Sequence, residues 1–284
     1  MSLSGAGLTM TMDAPFGAYR PSPFASAVLA LSQNTVLGRG AARKALGNLL
    51  RKHSGSPLDV KLWGRNARLH LASNYSEMKA LLNPSSYSRA DFDFIRSNLP
   101  PGGVFVDIGA NAGMFSLFAS SLLGRGGVVL SVEPQPAIFE RLKFNLQTAN
   151  DLGAEGVRVI LVEGAVGPAT GVAELAIPAE LGQASLRVEV GGPRIAVPVL
   201  PLGKVVRSHA LGRIDVMKID VEGYEDAVLR TFFEQEARAI FPHSVLLEHC
   251  NSERWSWDCI AELQKLGYVE AYRDKANIFL TLPV

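Results

Sequence analysis

The sequence is short of cysteine, of long apolar runs and of net charge, and each shortage closes off a class of protein. Cys250 and Cys259 are its only cysteines. Two cannot staple a disulfide scaffold and they lack zinc-ligand spacing, so a reducing compartment, the cytoplasm, is the expected location. No apolar run approaches the ~20 residues that cross a bilayer, so no transmembrane segment is expected. Lys and Arg number 28 against 27 Asp and Glu, a formal net charge of +1. That balance offers no whole-protein field for nucleic acid. No internal repeat or low-complexity tract is visible.

One local shortage stands out. After Asp13 no acid appears until Asp59, while Arg20, Arg39, Arg43, Lys44, Arg51 and Lys52 all fall between them. "MSLSGAGLTMTMDAPFGAYRPSP" is rich in Gly, Pro, Ser and Thr and reads as poorly ordered. "FASAVLALSQNTVLGRGAARKALGNLLRK" reads as one or two basic amphipathic helices. An organelle-targeting segment and a membrane-surface helix both fit such a stretch. The simpler expectation is a helical appendage that packs on the domain and keeps its basic face in solvent.

What is present is an ordinary globular composition, 48% hydrophobic and 19% charged over 284 residues. Length and pattern divide the chain into a flexible and helical extension (1–56), a hairpin with helices leading into the core (57–100), and a ligand-binding domain (101–284). "PLDVKLWGRNARLHL" predicts two strands around "GRN". Asn74 is placed to cap a helix with Glu77 three residues on, and Ser88 to cap the next, which stops at Pro100-Pro101.

From Val104 strands and helices alternate. "VFVDI", "GVVLSVE", "VRVILVE", "IDVMKID" and "SVLLEHC" are short apolar runs of the kind buried on both faces of a sheet. Helical patterns fall between them, and "YVEAY" and "NIFLTL" close the chain as a hairpin. The expected fold is α/β, a doubly wound, mostly parallel seven-stranded sheet with a C-terminal antiparallel hairpin. "VAELAIP", "SLRVEV" and "RIAVPVL" break the rhythm and predict a β-insertion.

Ligands of doubly wound sheets bind beyond the carboxyl ends of the strands, where strand order reverses. "DIGANAG" sits at such an end. Its G-x-N-x-G spacing fails the dinucleotide fingerprint, and no GK[ST] follows to make a phosphate loop. Asp107 would repel a phosphate but suits a cation. S-adenosylmethionine carries an ammonium and a sulfonium and no phosphate, and Asp107 can hold the ammonium directly or through water. Gly109 and Gly113 are expected to leave room for the ligand, and Asn111 to take up the left-handed backbone. Glu133, at the second strand end before Pro134, can accept two ribose hydroxyls. Glu163, at the third strand end beside Ala165, lies near the expected adenine. Each acid alone could be a helix cap or a solvated strand end; three at consecutive strand ends favour a ligand.

"FVDIGANAGMFS", "SVEPQPAIFERLKFN", "VEGAVG" and "DVMKIDVEGYEDAVL" resemble the FkbM-type family of S-adenosylmethionine-dependent methyltransferases. The resemblance covers roughly Tyr87 to Glu248. It implies a class I methyltransferase fold and methylation of a hydroxyl on a small metabolite or sugar; the balanced charge already argued against a nucleic-acid partner. The family often has "LD" ahead of "KIDVEG" where this chain has Leu202-Gly203. Asp220, Glu222 and Glu248 are the candidate catalytic residues, with Asp220 also facing the cofactor and His249 a further candidate. Lys218 is expected to be buried and paired with Asp220 or Glu222.

Methyl transfer is an in-line displacement, so alignment is the main task and a base helps a hydroxyl attack. A divalent cation among the same carboxylates is the lesser alternative, and no metal ligand is assigned. A protein that keeps the fold as a silent binding scaffold is the rival reading, disfavoured by the intact Asp107, Glu133 and Asp220. The insertion from Val172 to Val199, with Ser185 near its middle, is expected to cover the acceptor pocket. The oligomeric state is not legible.

Overall fold

The computed structural model describes residues 12–33, 35–177, 186 and 192–283. Two antiparallel strands come first, β1 (Leu58–Leu62) and β2 (Arg65–Leu69). Leu62 pairs directly with Arg65, so the tight turn is Trp63-Gly64 and not the "GRN" expected from sequence. Both turn residues have positive φ, 50° and 83°, as a two-residue turn matching strand twist requires.

The central sheet holds seven strands in the order β11-β12-β10-β9-β3-β4-β5. They are β3 (Val104–Ile108), β4 (Val128–Glu133), β5 (Arg158–Glu163), β9 (Val216–Ile219), β10 (Ser244–Glu248), β11 (Val269–Arg273) and β12 (Asn277–Thr281). Strands β5, β4, β3, β9 and β10 are parallel, and β12 runs antiparallel beside β10. The chain starts at β3, winds outward through β4 to β5, then returns to β9 on the other side of β3. The order therefore reverses between β3 and β9, and that gap opens the crevice at the strand ends. β3, β4 and β9 are buried along their whole length, which is why they read as unbroken apolar runs.

The expected insertion is a separate three-stranded sheet, β6 (Ala165–Val166), β8 (Arg194–Leu200) and β7 (Gly171–Ala176) in that order. The strand expected at "SLRVEV", together with Ser185, lies outside the described residues, Leu186 excepted.

Each sheet face carries its own core. One packs the Leu202–Ser208, Glu225–Gln235 and Cys259–Lys265 helices under Val106, Ile108, Met217 and Leu247. The other joins Phe105, Leu246 and Phe279 of the sheet to the Met114–Leu123 helix and to residues N-terminal of it. Ala25, Val28, Leu29 and Leu50 of the helices Pro23–Ser32 and Gly40–His53 belong to that second core. The basic helices are thus packed onto the domain.

Two buried ion pairs fasten the early chain. Arg141 holds Glu77 at 2.7 Å with both side chains fully buried, and its other nitrogen donates to Ser73. Arg68 holds Asp59 at 2.7 Å and donates to the carbonyls of Ala14 and Pro15, while Asp59 accepts from the N–H groups of Gly17 and Tyr19. The segment from Ala14 to Tyr19, expected to be poorly ordered from its composition, is therefore held in place. The reason is that a buried guanidinium must find acceptors for all its N–H groups, and this backbone supplies them. Asn74 caps the Tyr75–Leu82 helix as expected, accepting from Ser76 and Glu77 N–H. Ser88 does not cap the Arg89–Asn98 helix: it sits in the left-handed region at φ 43°, and its hydroxyl bonds Asp91.

Candidate functional site

A cleft opens at the crevice between β3 and β9, with an empty volume of about 850 Å³ counted out to its open mouth. That size suits a small-molecule site. Gly109, Ala110 and Asn111 form one side, Glu133 and Pro134 the next, and Gly164, Ala165 and Val166 the third. Lys218, Asp220, Val221, Glu222 and Tyr224 close the fourth. The walls between are apolar, including Met114, Phe115, Val132 and Ile138.

The loop after β3 takes its shape from three left-handed residues, Gly109 at φ 75°, Asn111 at 52° and Gly113 at 88°. The glycines serve the protein's own packing. A Cβ on Gly109 would collide with the backbone carbonyl of Asp220, and one on Gly113 would come within 2.7 Å of Leu142 Cδ1. Sequence reasoning expected them to make room for the ligand; the structure shows them making room for neighbouring backbone and side chain, with Gly113 off the cleft wall. Asn111 tolerates its left-handed backbone because its Oδ1 accepts from its neighbour Ala112 N–H, at 2.7 Å, and from Asn74 Nδ2.

Glu133 is the anchor of this side. One carboxylate oxygen accepts from Asn111 N–H and the other from Gln135 N–H, each at 2.9 Å. Burial pushes its pKa up to about 7, against the pull of those two N–H groups. A carboxylate with one hydrogen bond on each oxygen retains lone pairs for two further donors.

Asp107 lies beneath the cleft rather than on it. It is fully buried, accepts from Ser116 Oγ at 2.6 Å, and stands 3.7 Å from Lys218 Nζ. Its Oδ1 has no hydrogen-bond partner. Burial raises its pKa, and Lys218 opposes the rise. Lys218 reaches from β9 into the cleft wall, 3.2 Å from Asp220 Oδ2, with Phe115's ring 4.9 Å away. Burial works against its charge, yet Asp220 and Asp107 outweigh burial and hold its pKa above the ordinary lysine value. The expected pairing with Asp220 is present, and Asp107 joins it.

The loop after β9 does not run straight into a helix at the acid-rich Glu222-Gly223 step. The helix begins at Glu225, and Glu222 and Gly223 form a left-handed turn at φ 55° and 92°. Glu225 explains the turn: one of its oxygens accepts from both Val221 and Gly223 N–H, the other from Trp255 Nε1. This locks Glu222 onto the cleft wall. Burial and the charges of Asp220 and Glu225 push its pKa up to about 7. Glu248 ends β10 behind this group and does not line the cleft. Burial and the charges of Asp220, Glu222 and Glu225 push it up to about 9, and its Oε2 is buried without a hydrogen-bond partner. His249 turns away, its Nε2 3.1 Å from Asp274 O.

Glu163 stands exposed at the end of β5, outside the cleft, while its neighbours Gly164 and Ala165 line it. Sequence reasoning missed Tyr87 and Ser76, which reach the cleft from the segment before the domain with Tyr87 Oη 2.7 Å from Ser76 Oγ. It also missed Phe115 and Tyr224. Phe115 lies on the Met114–Leu123 helix, where an aromatic reads as core, and Tyr87 and Tyr224 lie in connecting segments with no motif around them, so no local signal distinguished them. Leu175 and Leu186 of the insertion do reach the cleft. Among the described residues no group of three or more His, Cys, Asp or Glu side chains is arranged to hold a metal ion. Nor is any helix among them long and apolar enough to cross a membrane.

Known proteins resemble this chain at several distances. Protein-L-isoaspartate O-methyltransferase of Caenorhabditis elegans is 27% identical over 75 residues, 26% of this chain and 33% of that protein. The match thus spans about a third of that curated relative. Fibrillarin of Aeropyrum pernix, solved with bound S-adenosyl-L-methionine, aligns with a TM-score of 0.39 at 15% identity, covering 65% of this chain and 68% of that one. Precorrin-6y C5,15-methyltransferase of Geobacter metallireducens aligns at 0.41 and 15%, covering 69% and 87%. Residues 107–269, more than half of the chain, match the Methyltransferase FkbM domain, and the chain belongs to that family of S-adenosylmethionine-dependent methyltransferases.

Proposed function

We propose that this methyltransferase acts on a hydroxyl of a small, uncharged metabolite or sugar. The observation that carries the reading is the acidic wall of the cleft, where Asp220 and Glu222 stand together and Glu222 has its pKa pushed up to about 7. Such a wall repels an anionic acceptor, whether a carboxylate or a phosphate backbone. It suits a neutral hydroxyl, which needs a proton acceptor poised near neutral pH.

The residues present fit the donor. Glu133 offers a carboxylate with spare lone pairs to a ribose diol, and Pro134, Ile138, Val166 and Ala165 give an apolar slot for a purine. Asp220 offers negative charge at the cationic end, and Asp107 supports it from beneath through Lys218. The chemistry the bound donor supplies is a methyl group already activated on a sulfonium. The protein's task is then alignment and proton removal. Glu222 takes the hydroxyl proton. Glu248, pushed up to about 9, holds its proton at neutral pH and adds no charge to the acid cluster. Leu175, Leu186 and Tyr224 shield the reacting end from water.

The test offers methyl-labelled donor with a panel of hydroxylated metabolites and sugars, and with carboxylated and phosphorylated counterparts. Label is expected in alkali-stable ethers. Glu222→Gln should lower kcat by ~10²-fold or more with little change in KM. Label found only in alkali-labile esters or on nitrogen would overturn the acceptor class. An unchanged kcat in Glu222→Gln would overturn its role as base.

A further inference from the structure

We propose that the N-terminal helical hairpin docks the enzyme on an anionic membrane surface. Most of the large apolar side chains left exposed among the described residues lie here: Phe24, Leu31, Val36, Leu37, Leu49 and the adjacent Tyr75. Elsewhere among the described residues only Val172, Val269 and Tyr272 are comparable. The Pro23–Ser32 helix exposes Phe24, Ala27 and Leu31, which share one helix face by their spacing. Leu37 follows in the connecting turn beside Val36, which is 78% exposed. The Gly40–His53 helix exposes Ala41, Ala45 and Leu49, again on one face. Phe24 meets His53 ring to ring at 5.8 Å, so the start of one helix lies against the end of the other.

Among the described residues no element of the chain covers these apolar positions. The same helices already bury Ala25, Val28, Leu29 and Leu50 in the domain, and the exposed stripes are their other sides. A patch of this kind marks an interaction site.

Charge selects the occupant. Arg39, Lys44, Arg51 and Lys52 are exposed on the hairpin, and no acid lies between Asp13 and Asp59. Arg39 also borders a hollow, about 670 Å³ counted out to its open mouth, that carries Arg89 and Arg96. Asp93 partly offsets those two, 2.6 Å from Arg96 and 3.7 Å from Arg89. A second copy of this chain would meet the hairpin with like charge. Nucleic acid has no use for Leu31, Val36 and Leu49. A bilayer rich in acidic lipid satisfies both features: aliphatic side chains enter the acyl boundary while Lys and Arg reach the phosphates.

The experiment uses the full chain and vesicles of phosphatidylcholine, with and without phosphatidylglycerol, read by co-sedimentation. The protein should pellet with the acidic vesicles and not with the neutral ones, and molar salt should release it. Leu31→Ser with Val36→Ser, and separately Lys44→Glu with Lys52→Glu, should each weaken binding by about tenfold or more. All four positions are solvent-exposed, and an unchanged thermal shift with S-adenosylhomocysteine would certify an intact fold and cleft. Equal pelleting with neutral vesicles, or variants that bind acidic vesicles like the parent, would overturn the proposal. So would sedimentation showing a dimer that Leu31→Ser with Val36→Ser dissociates, since the patch would then belong to a second copy.

Discussion

Replacing Glu133 with glutamine should flatten the pH dependence of S-adenosylhomocysteine binding. In the free protein burial pushes Glu133 up to about 7, while the N–H groups of Gln135 and Asn111 restrain the rise. Ribose hydroxyls donate to the ionised carboxylate better than to the acid, so the ligand selects the ionised form and lowers the pKa of the complex. The sign follows. Above about 7 the free protein is already ionised and affinity is at its plateau; below it, a proton must leave before the ligand binds, and affinity falls. From pH 8 to pH 6 the loss is roughly tenfold, ~1.4 kcal/mol, provided the bound pKa lies well below 6. Glutamine keeps the shape, removes the charge, and should bind ~1.5–3 kcal/mol less tightly at the high-pH end. Glu222 lines the same cleft and is also pushed up to about 7, so Glu222→Gln must be titrated in parallel. Calorimetry at constant ionic strength reads all three proteins. A wild-type slope retained by Glu133→Gln, or a flat wild-type profile, would refute the assignment.

Two further substitutions test the scaffold around the cleft. Gly109→Ala places a methyl group against the Asp220 carbonyl in a backbone at φ 75°, and should cost at least ~1–3 kcal/mol in urea unfolding and weaken ligand binding with it. Arg68→Met leaves Asp59 buried and unpaired and frees the carbonyls of Ala14 and Pro15. It should cost ~3–5 kcal/mol and expose the segment around Ala14 to limited proteolysis, and adding Asp59→Leu should recover part of the loss.

The parallel strands were legible because burial on both faces leaves a signature that needs no partner: "VFVDI" and "SVLLE" can hardly be anything else. The switch-point loop was legible for a similar reason. Gly109, Asn111 and Gly113 are small or left-handed-tolerant, which marks the turn after β3, although what the two glycines make room for was not legible. Long-range pairing was not legible. Nothing near Ala14 announces that Arg68 will claim its carbonyl, so composition alone suggested a loose segment. Nothing local tells Glu222 that Glu225 will gather the N–H groups on either side and turn it onto the cleft wall; the acid-rich "VEGYED" looked like an ordinary helix start. Glu163 shows the opposite error. It shares the strand-end position of Glu133 but sits exposed at the end of the half-buried edge strand β5, and the period-2 pattern that would have said so is blurred in "VILVE". Tyr87 was missed because its value lies in reaching across from a different part of the chain.

The acid cluster itself leads to a last expectation. Asp107, Asp220, Glu222 and Glu248 gather around one buried cation, Lys218. Full ionisation of all four would leave the cluster strongly negative in a poorly solvated place. The protein relieves this by holding protons, which is why Glu222 rises to about 7 and Glu248 to about 9. A cationic ligand relieves it differently, by supplying the missing positive charge, and the acids can then ionise. S-adenosylmethionine carries a sulfonium that S-adenosylhomocysteine lacks, so the two ligands should differ in the protons they expel. At pH 7.0, calorimetry in two buffers of different ionisation enthalpy should show the sulfonium form releasing more protons on binding, by roughly half a proton. The difference should shrink in Glu222→Gln, because that group is half-protonated near neutral pH and titrates most readily. Equal proton release by the two ligands would mean that the sulfonium does not lie near these acids. Asp220 and Glu222 would then belong to the acceptor alone, and the methyl group would have to enter the cleft from another side.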